Sequence, residues 1–219
     1  MTMPLDRGRL VAWSALVSGL ALLGYASRAA GGKPPENAAY QYSTAAGGVV
    51  QYGIILAIVL VIARPEWRRL LALRRPSSYR RALTTALGVF VVVYVISAIV
   101  SSFSHPGREQ GLTPQHWDAH RISPYVVNFV VFVFVAPVVE ELTFRGLGYS
   151  LLEPLGRTAA CLWIGVAFGL AHGLLEALPI LIAFGAGLAL MRARTDSVYP
   201  GMVVHGLFNA VALIVSVST

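Results

Sequence analysis

The 219-residue chain is 56% hydrophobic and only 12% charged, with a formal net charge of +7. A soluble domain carries about 25% charged residues, so this composition excludes an ordinary water-soluble globule and points to one polytopic, all-α membrane protein embedded in the lipid bilayer. The positive charge does not point to nucleic acid: Arg64, Arg68, Arg69, Arg74, Arg75, Arg80 and Arg81 crowd one short segment between two apolar runs, the positive-inside pattern of a cytoplasmic loop that leaves no folded domain for a nucleic-acid surface.

Taken in order, the apolar runs predict seven spans. The first covers about Leu10–Ala26, behind Arg7 and Arg9, and its small residues near Ala26–Ala30 also fit a cleavable signal peptide. Gly31-Gly32 and Pro34-Pro35 mark a loop. Span 2 is about Ala45–Ala63 and span 3 about Ala82–Phe103. His105–Arg121 is polar and broken by Pro106, Gly107 and Pro114. His116 and His120 stand there at i,i+4, a spacing that suits either a weak metal site or a solvated loop.

Span 4 starts near Pro124 and continues to about Leu152; span 5 is about Thr158–Leu174, span 6 about Leu178–Met191, and span 7 about Val198–Val217. An eighth, broken segment is compatible with the same pattern. Residues 1–123 thus hold three spans and the arginine-rich loop, and residues 124–219 hold four. With the N-terminus inside, the arginine-bearing N-terminus, Arg64–Arg81 loop, Glu153–Arg157 turn and Arg192–Asp196 turn fall on one side, and the two arginines of the opposite His105–Arg121 loop are accompanied by Glu109 and Asp118. The single cysteine, Cys161, allows no intramolecular disulfide and reads as a small apolar span residue.

Three polar stations interrupt the oily spans. The first is Glu140-Glu141-Leu142-Thr143-Phe144-Arg145. Helical neighbours point about 100° apart, so the two carboxylates leave the helix in different directions. Glu141 and Arg145, at i,i+4 in the favourable order, are expected to pair. Glu140 is left without a cation of its own, the kind of carboxylate that serves as a general base. Pro137 leaves the carbonyl of Val133 without a helical donor, which favours a break beneath the site. Taken alone, the station also fits a solvated salt bridge at a helix end.

The second station is Phe168 and His172, one helical turn apart, beside the small-residue stripe Gly165, Gly169 and Gly173. The third is His205 and Asn209, again one turn apart. Polar groups at membrane depth usually face the bundle interior and mark function. Counted from the turn near Leu155, Glu140 and His172 both lie roughly 22–26 Å deep. His205 lies about 14 Å past Asp196, leaving a mismatch of about 10 Å.

Glu-Glu-x-x-x-Arg, Phe-x-x-x-His and His-x-x-x-Asn, in this order on successive spans, resemble the motifs of the CPBP family of intramembrane proteases, which includes the CAAX-processing endopeptidase Rce1, bacterial Abi proteins and bacteriocin-processing or immunity proteins. The resemblance covers about Tyr125–Val217. It implies an Rce1-like helical core and endopeptidase action on a membrane-associated protein or peptide. It implies that Glu140 activates water with His172, that His205 and Asn209 form the oxyanion hole, and that Glu141, Arg145 and Phe168 support the site.

The short chain with minimal loops is similar to bacterial members, so a cell-membrane location with a cytoplasmic N-terminus is expected, with water reaching the site from the cytoplasmic side. No cofactor is expected. The competing reading is a zinc protease with Glu140, His172 and His205 as ligands. A non-catalytic immunity or binding protein of the same fold is a further alternative, as is a transporter with a proton-relay carboxylate. The chain has no His-Glu-x-x-His motif and no Gly-x-Ser-x-Gly elbow. Cys161 stands about 16 Å from His172 along the helix, too far for a thiol–imidazole pair.

Overall fold

A computed structural model of the chain describes residues 6–32, 37–106, 109 and 117–217. Among them there is no strand, and seven main helices follow one another in sequence. They are α1 (Arg7–Ala29), α2 (Tyr42–Ala63), α3 (Tyr79–Ser101), α4 (Ala119–Leu155), α5 (Arg157–Ala171), α6 (Leu178–Thr195) and α7 (Tyr199–Ser216). All but α5 are long and apolar enough to cross a membrane. Leu22, Val61, Leu83 and Val91 are among the many large apolar side chains exposed on the outside of the bundle, as lipid-facing surfaces require. The chain is a helical integral membrane protein.

Seven helices coincide with the seven expected spans, six of them long enough to cross a membrane, and their ends move for local reasons. Helix α3 starts at Tyr79 rather than Ala82, because the Ser78 side chain accepts from Arg81 N–H as its N-cap. Helix α6 runs to Thr195, four residues beyond the expected Met191, until Asp196 turns left-handed at φ 56°. Helix α5 ends at Ala171, and Gly173, at φ +63°, turns the chain against Gly24 of α1. A side chain there would strain the backbone and strike α1. The stripe expected at Gly165, Gly169 and Gly173 therefore divides: Gly165 and Gly169 admit α6, and Gly173 admits α1.

Helix α4 departs most from a regular helix. Two of its stretches, Val131–Val135 and Leu142–Gly148, are π-helical. The expected break below the site is thus a change of hydrogen-bond register. Ala136 N–H reaches back five residues to Val131 O. In that register the next carbonyl, Phe132 O, would look for the N–H of Pro137, which has none. Pro137 therefore leaves the carbonyl of Phe132 without a helical donor, where the sequence reading names that of Val133.

The arginine-rich segment is stitched to the bundle. Leu70, Leu71 and Ala72 are buried. Ser77 N–H donates to Thr195 O at 2.8 Å, Arg74 Nε donates to Asp196 O at 2.8 Å, and Ser150 Oγ donates to Leu70 O at 2.8 Å. At the other end of the bundle, the Glu109 carboxylate accepts the N–H groups of Leu175 and Ala177 ahead of α6, each at 3.0 Å, and pairs with Arg28 of α1. Between these ends, Trp13 of α1 is buried and its Nε1 donates to Thr143 O at 2.9 Å. The first three helices are thereby joined to the last four.

Candidate active site

Glu141 and Arg145 are both fully buried and pair at 2.9 Å, as their spacing predicts. The guanidinium also donates to Gly185 O at 3.2 Å and stacks over Phe168, 4.2 Å from the ring centroid. Gly201 of α7 backs onto this pair, and a methyl group there would collide with Glu141 Oε2. A buried ion pair is tolerated only when its remaining valences are met and water is kept out. Phe168 serves the second need, because its ring also stands 4.5 Å from the His172 ring and 5.7 Å from the His205 ring, while Glu141 Oε2 has no hydrogen-bond partner. Phe168 forms the wall between the guanidinium and both imidazoles.

Glu140 leaves α4 on another side. Its Oε1 accepts from the hydroxyl of Tyr52 at 2.9 Å. Its Oε2 is buried, has no hydrogen-bond partner, and lies 3.9 Å from His172 Nε2 and 3.6 Å from His205 Nε2. The ring orientations follow from the opposite nitrogens. His172 Nδ1 meets the carbonyl of Phe168 at 2.7 Å, so it carries the hydrogen and Nε2 turns toward Glu140. His205 Nδ1 meets Glu141 Oε1 at 3.2 Å and must also donate. His205 therefore touches both carboxylates, one with each ring nitrogen.

Asn209, one turn further along α7, donates from Nδ2 to Phe132 O at 2.8 Å. It thus satisfies the carbonyl opened by the π turn and Pro137, and one amide hydrogen remains free. Gly206 packs against the next residue of α4, where a Cβ would come within 2.8 Å of Val133 O. The break in α4 and the last helix are in this way fitted to each other.

The structure brings the three stations together, including His205. The depth mismatch disappears because the 153–156 turn projects past its neighbour. Arg192 stacks over Tyr149 at 5.2 Å, so the end of α6 is level with a point six residues, or about 9 Å, before Leu155. Glu140 lies nine residues before Tyr149, and His205 nine after Asp196.

A cavity of about 280 Å³ lies against these groups, lined by Tyr52, Glu140, His172, His205 and Asn209 and by apolar residues as far as Ser216. A second cavity of about 170 Å³ lies on the other side of Tyr52, Glu140 and His172, toward Leu20, Gln51 and Thr143. The lining of the larger cavity follows α7 away from the arginine-rich face, whereas the sequence reading places water access on that face. The stacked pair Phe184–Phe208 lines this cavity where α6 meets α7.

Tyr52 is absent from the sequence-derived site. Its one signal is a phenolic hydroxyl halfway along an apolar span, a group that seeks a partner when buried. His116 lies outside the described residues. Among the described residues, no group of three or more His, Cys, Asp or Glu side chains is placed to hold a metal ion, and Glu140, His172 and His205 are not an exception.

Comparison with known proteins agrees with the motifs. Residues 122–211 match the model of the family "Type II CAAX prenyl endopeptidase Rce1-like". The chain is 25% identical over 190 residues to the "Putative membrane peptidase YdiL" of Bacillus subtilis, covering 84% of this chain and 77% of that protein. No solved structure gives a significant match. The matched segment carries Glu140, His172, His205 and Asn209, and is similar to the Rce1-like family.

Proposed function

We propose that the protein is a glutamate-type intramembrane endopeptidase acting on a membrane-associated protein or peptide. The observation that carries this reading is the buried, unpartnered Oε2 of Glu140, facing two imidazole nitrogens at the edge of a cavity. A water between Glu140 Oε2 and His172 Nε2 donates to both. As its oxygen attacks the peptide carbonyl, Glu140 takes the released proton as general base. The carbonyl oxygen becomes an oxyanion, which the free Nδ2–H of Asn209 and the edge of the His205 ring can stabilise. When the C–N bond breaks, the proton held by Glu140 passes to the leaving amine.

Glu141 and Arg145 keep His205 oriented, and Tyr52 keeps the other oxygen of Glu140 in place. The family match supports hydrolysis over the immunity-protein and transporter readings. A bacterial cell membrane with the arginine-rich face in the cytoplasm suits the charge pattern.

The test is to purify wild type and Glu140→Gln and to assay both on a library of membrane peptides by mass spectrometry. Wild type is expected to cut a subset that the variant leaves intact; equal cleavage removes Glu140 as the base. Metal analysis, with activity measured before and after a chelator, decides between this mechanism and zinc at Glu140, His172 and His205: loss of a stoichiometric metal together with activity favours zinc.

A further inference from the structure

Far from Glu140, on the arginine-rich half of the bundle, α3, α5 and α6 enclose a groove of about 580 Å³. Helix α6 forms its floor with Ala183, Ala186 and Gly187, whose small side chains make it deep. Residues one and two turns apart on α3 (Thr84, Gly88, Val92) and on α5 (Arg157, Cys161) form its walls. A Cβ built on Gly88 meets nothing within 4 Å, so the groove is open at that point. Its mouth carries Arg157, the first residue of α5, and Arg194, in the last turn of α6.

Neither arginine has an acidic partner within 4 Å among the described residues. The nearby Asp196 is committed to Arg74 at 2.5 Å and to Arg192 at 2.8 Å. The groove therefore has two unpaired cations at the membrane surface and an apolar channel running inward. From Arg194 to Ala183 is eleven residues, or about 16 Å, close to the roughly 15 Å that one leaflet contributes to the hydrocarbon core.

We propose that this groove is a binding site for an anionic phospholipid. The phosphate sits between Arg157 and Arg194, and one acyl chain lies along Gly88, Ala183 and Gly187. Charge selects the headgroup, since basic pockets between spans attract anionic lipid heads, and the length and apolarity of the channel select a single-leaflet chain. The ligand would tie α3, which lies outside the family-matched segment, to α5 and α6. The site is independent of the proposed proteolysis.

The experiment is native mass spectrometry of the full chain released from mild detergent, with phosphatidylglycerol or phosphatidylcholine of identical acyl chains added. Wild type is expected to retain phosphatidylglycerol by about tenfold or more over phosphatidylcholine. Arg157→Gln combined with Arg194→Gln should abolish that preference. Gly88→Leu, whose Cβ meets nothing within 4 Å, should reduce retention of both lipids. Circular dichroism and thermal unfolding of each variant check that the fold is kept. Equal retention of the two lipids by wild type overturns the proposal, as does a preference that survives the double substitution. Inorganic phosphate is the remaining arm: if it displaces phosphatidylglycerol and stabilises Gly88→Leu as well as wild type, the site is a simple anion site and the lipid assignment is wrong.

Discussion

Two carboxylates that are neighbours in the chain have been given opposite surroundings. Glu141 is sealed, held by Arg145 and backed by Gly201, with Phe168 stacked over the guanidinium. Glu140 faces a cavity, with one oxygen fixed by Tyr52 and the other left open between two histidines. About 100° of helix rotation thus separates a carboxylate paired with a buried guanidinium from one that has no cation of its own. The difference comes from the surroundings rather than from the residues: only what α2, α5 and α7 bring up to each carboxylate sets them apart. The sealed half holds His205 at the angle that the open half uses.

This division of labour can be broken or sharpened by substitution. The largest effect is expected at Glu140. Glu140→Gln should lower turnover by roughly 10³-fold, the scale of general-base catalysis, while the unfolding midpoint in detergent stays close to wild type. A large stability loss there would erase the contrast. Arg145→Leu should do the reverse and destabilise the fold by about 3–5 kcal/mol, because it leaves Glu141 charged and unpaired in a dry site. Joining it to Glu141→Leu should recover most of that loss in the same unfolding assay, without restoring activity.

Gly201→Ala is expected to cost about 1–3 kcal/mol by overpacking, since the added methyl meets Glu141 Oε2. Tyr52→Phe should lower kcat by about tenfold, the value of one hydrogen bond to a charged group, with little change in the unfolding midpoint. An unchanged kcat would show that Tyr52 only fills space.

The smallest effect lies outside the spans. Burial pushes the Asp196 carboxyl up, but the hydrogen bond from Arg74 and the charges of Arg192 and Arg74 outweigh it and hold the group below the usual carboxylate range. A depressed folded pKa gives stability that is present above the unfolded value, about 3.9, and is lost as pH falls through the folded value. Asp196→Asn should therefore flatten the stability profile only below about pH 4. The effect is small because the side chain is 57% exposed and screened.

Much of this was legible in the sequence because membranes restrict the choices. Seven apolar runs could hardly fold as anything but helices, and the i,i+4 spacings of Glu141–Arg145, Phe168–His172 and His205–Asn209 fix which side chains share a face. What was not legible depended on register between helices. The pairing of Tyr52 with Glu140, the meeting of Asn209 with Phe132 O, and the close seat of Gly201 each join residues more than 55 positions apart. The π turns in α4 were hidden too, because Val131–Val135 and Leu142–Gly148 have no composition that distinguishes a five-residue register from a four-residue one.

Helix α5 has only fifteen residues, a rise of about 22 Å, against a hydrocarbon thickness of about 30 Å. A span that short creates hydrophobic mismatch, and a bilayer relieves it by thinning around the helix. His172 lies just past the end of α5, followed by the turn where Arg28, Glu109 and Glu176 gather. Thinning at that turn would draw the aqueous boundary down to within a few residues of His172. The proposed catalytic histidine would then stand deep in the bundle and still lie a short distance from water.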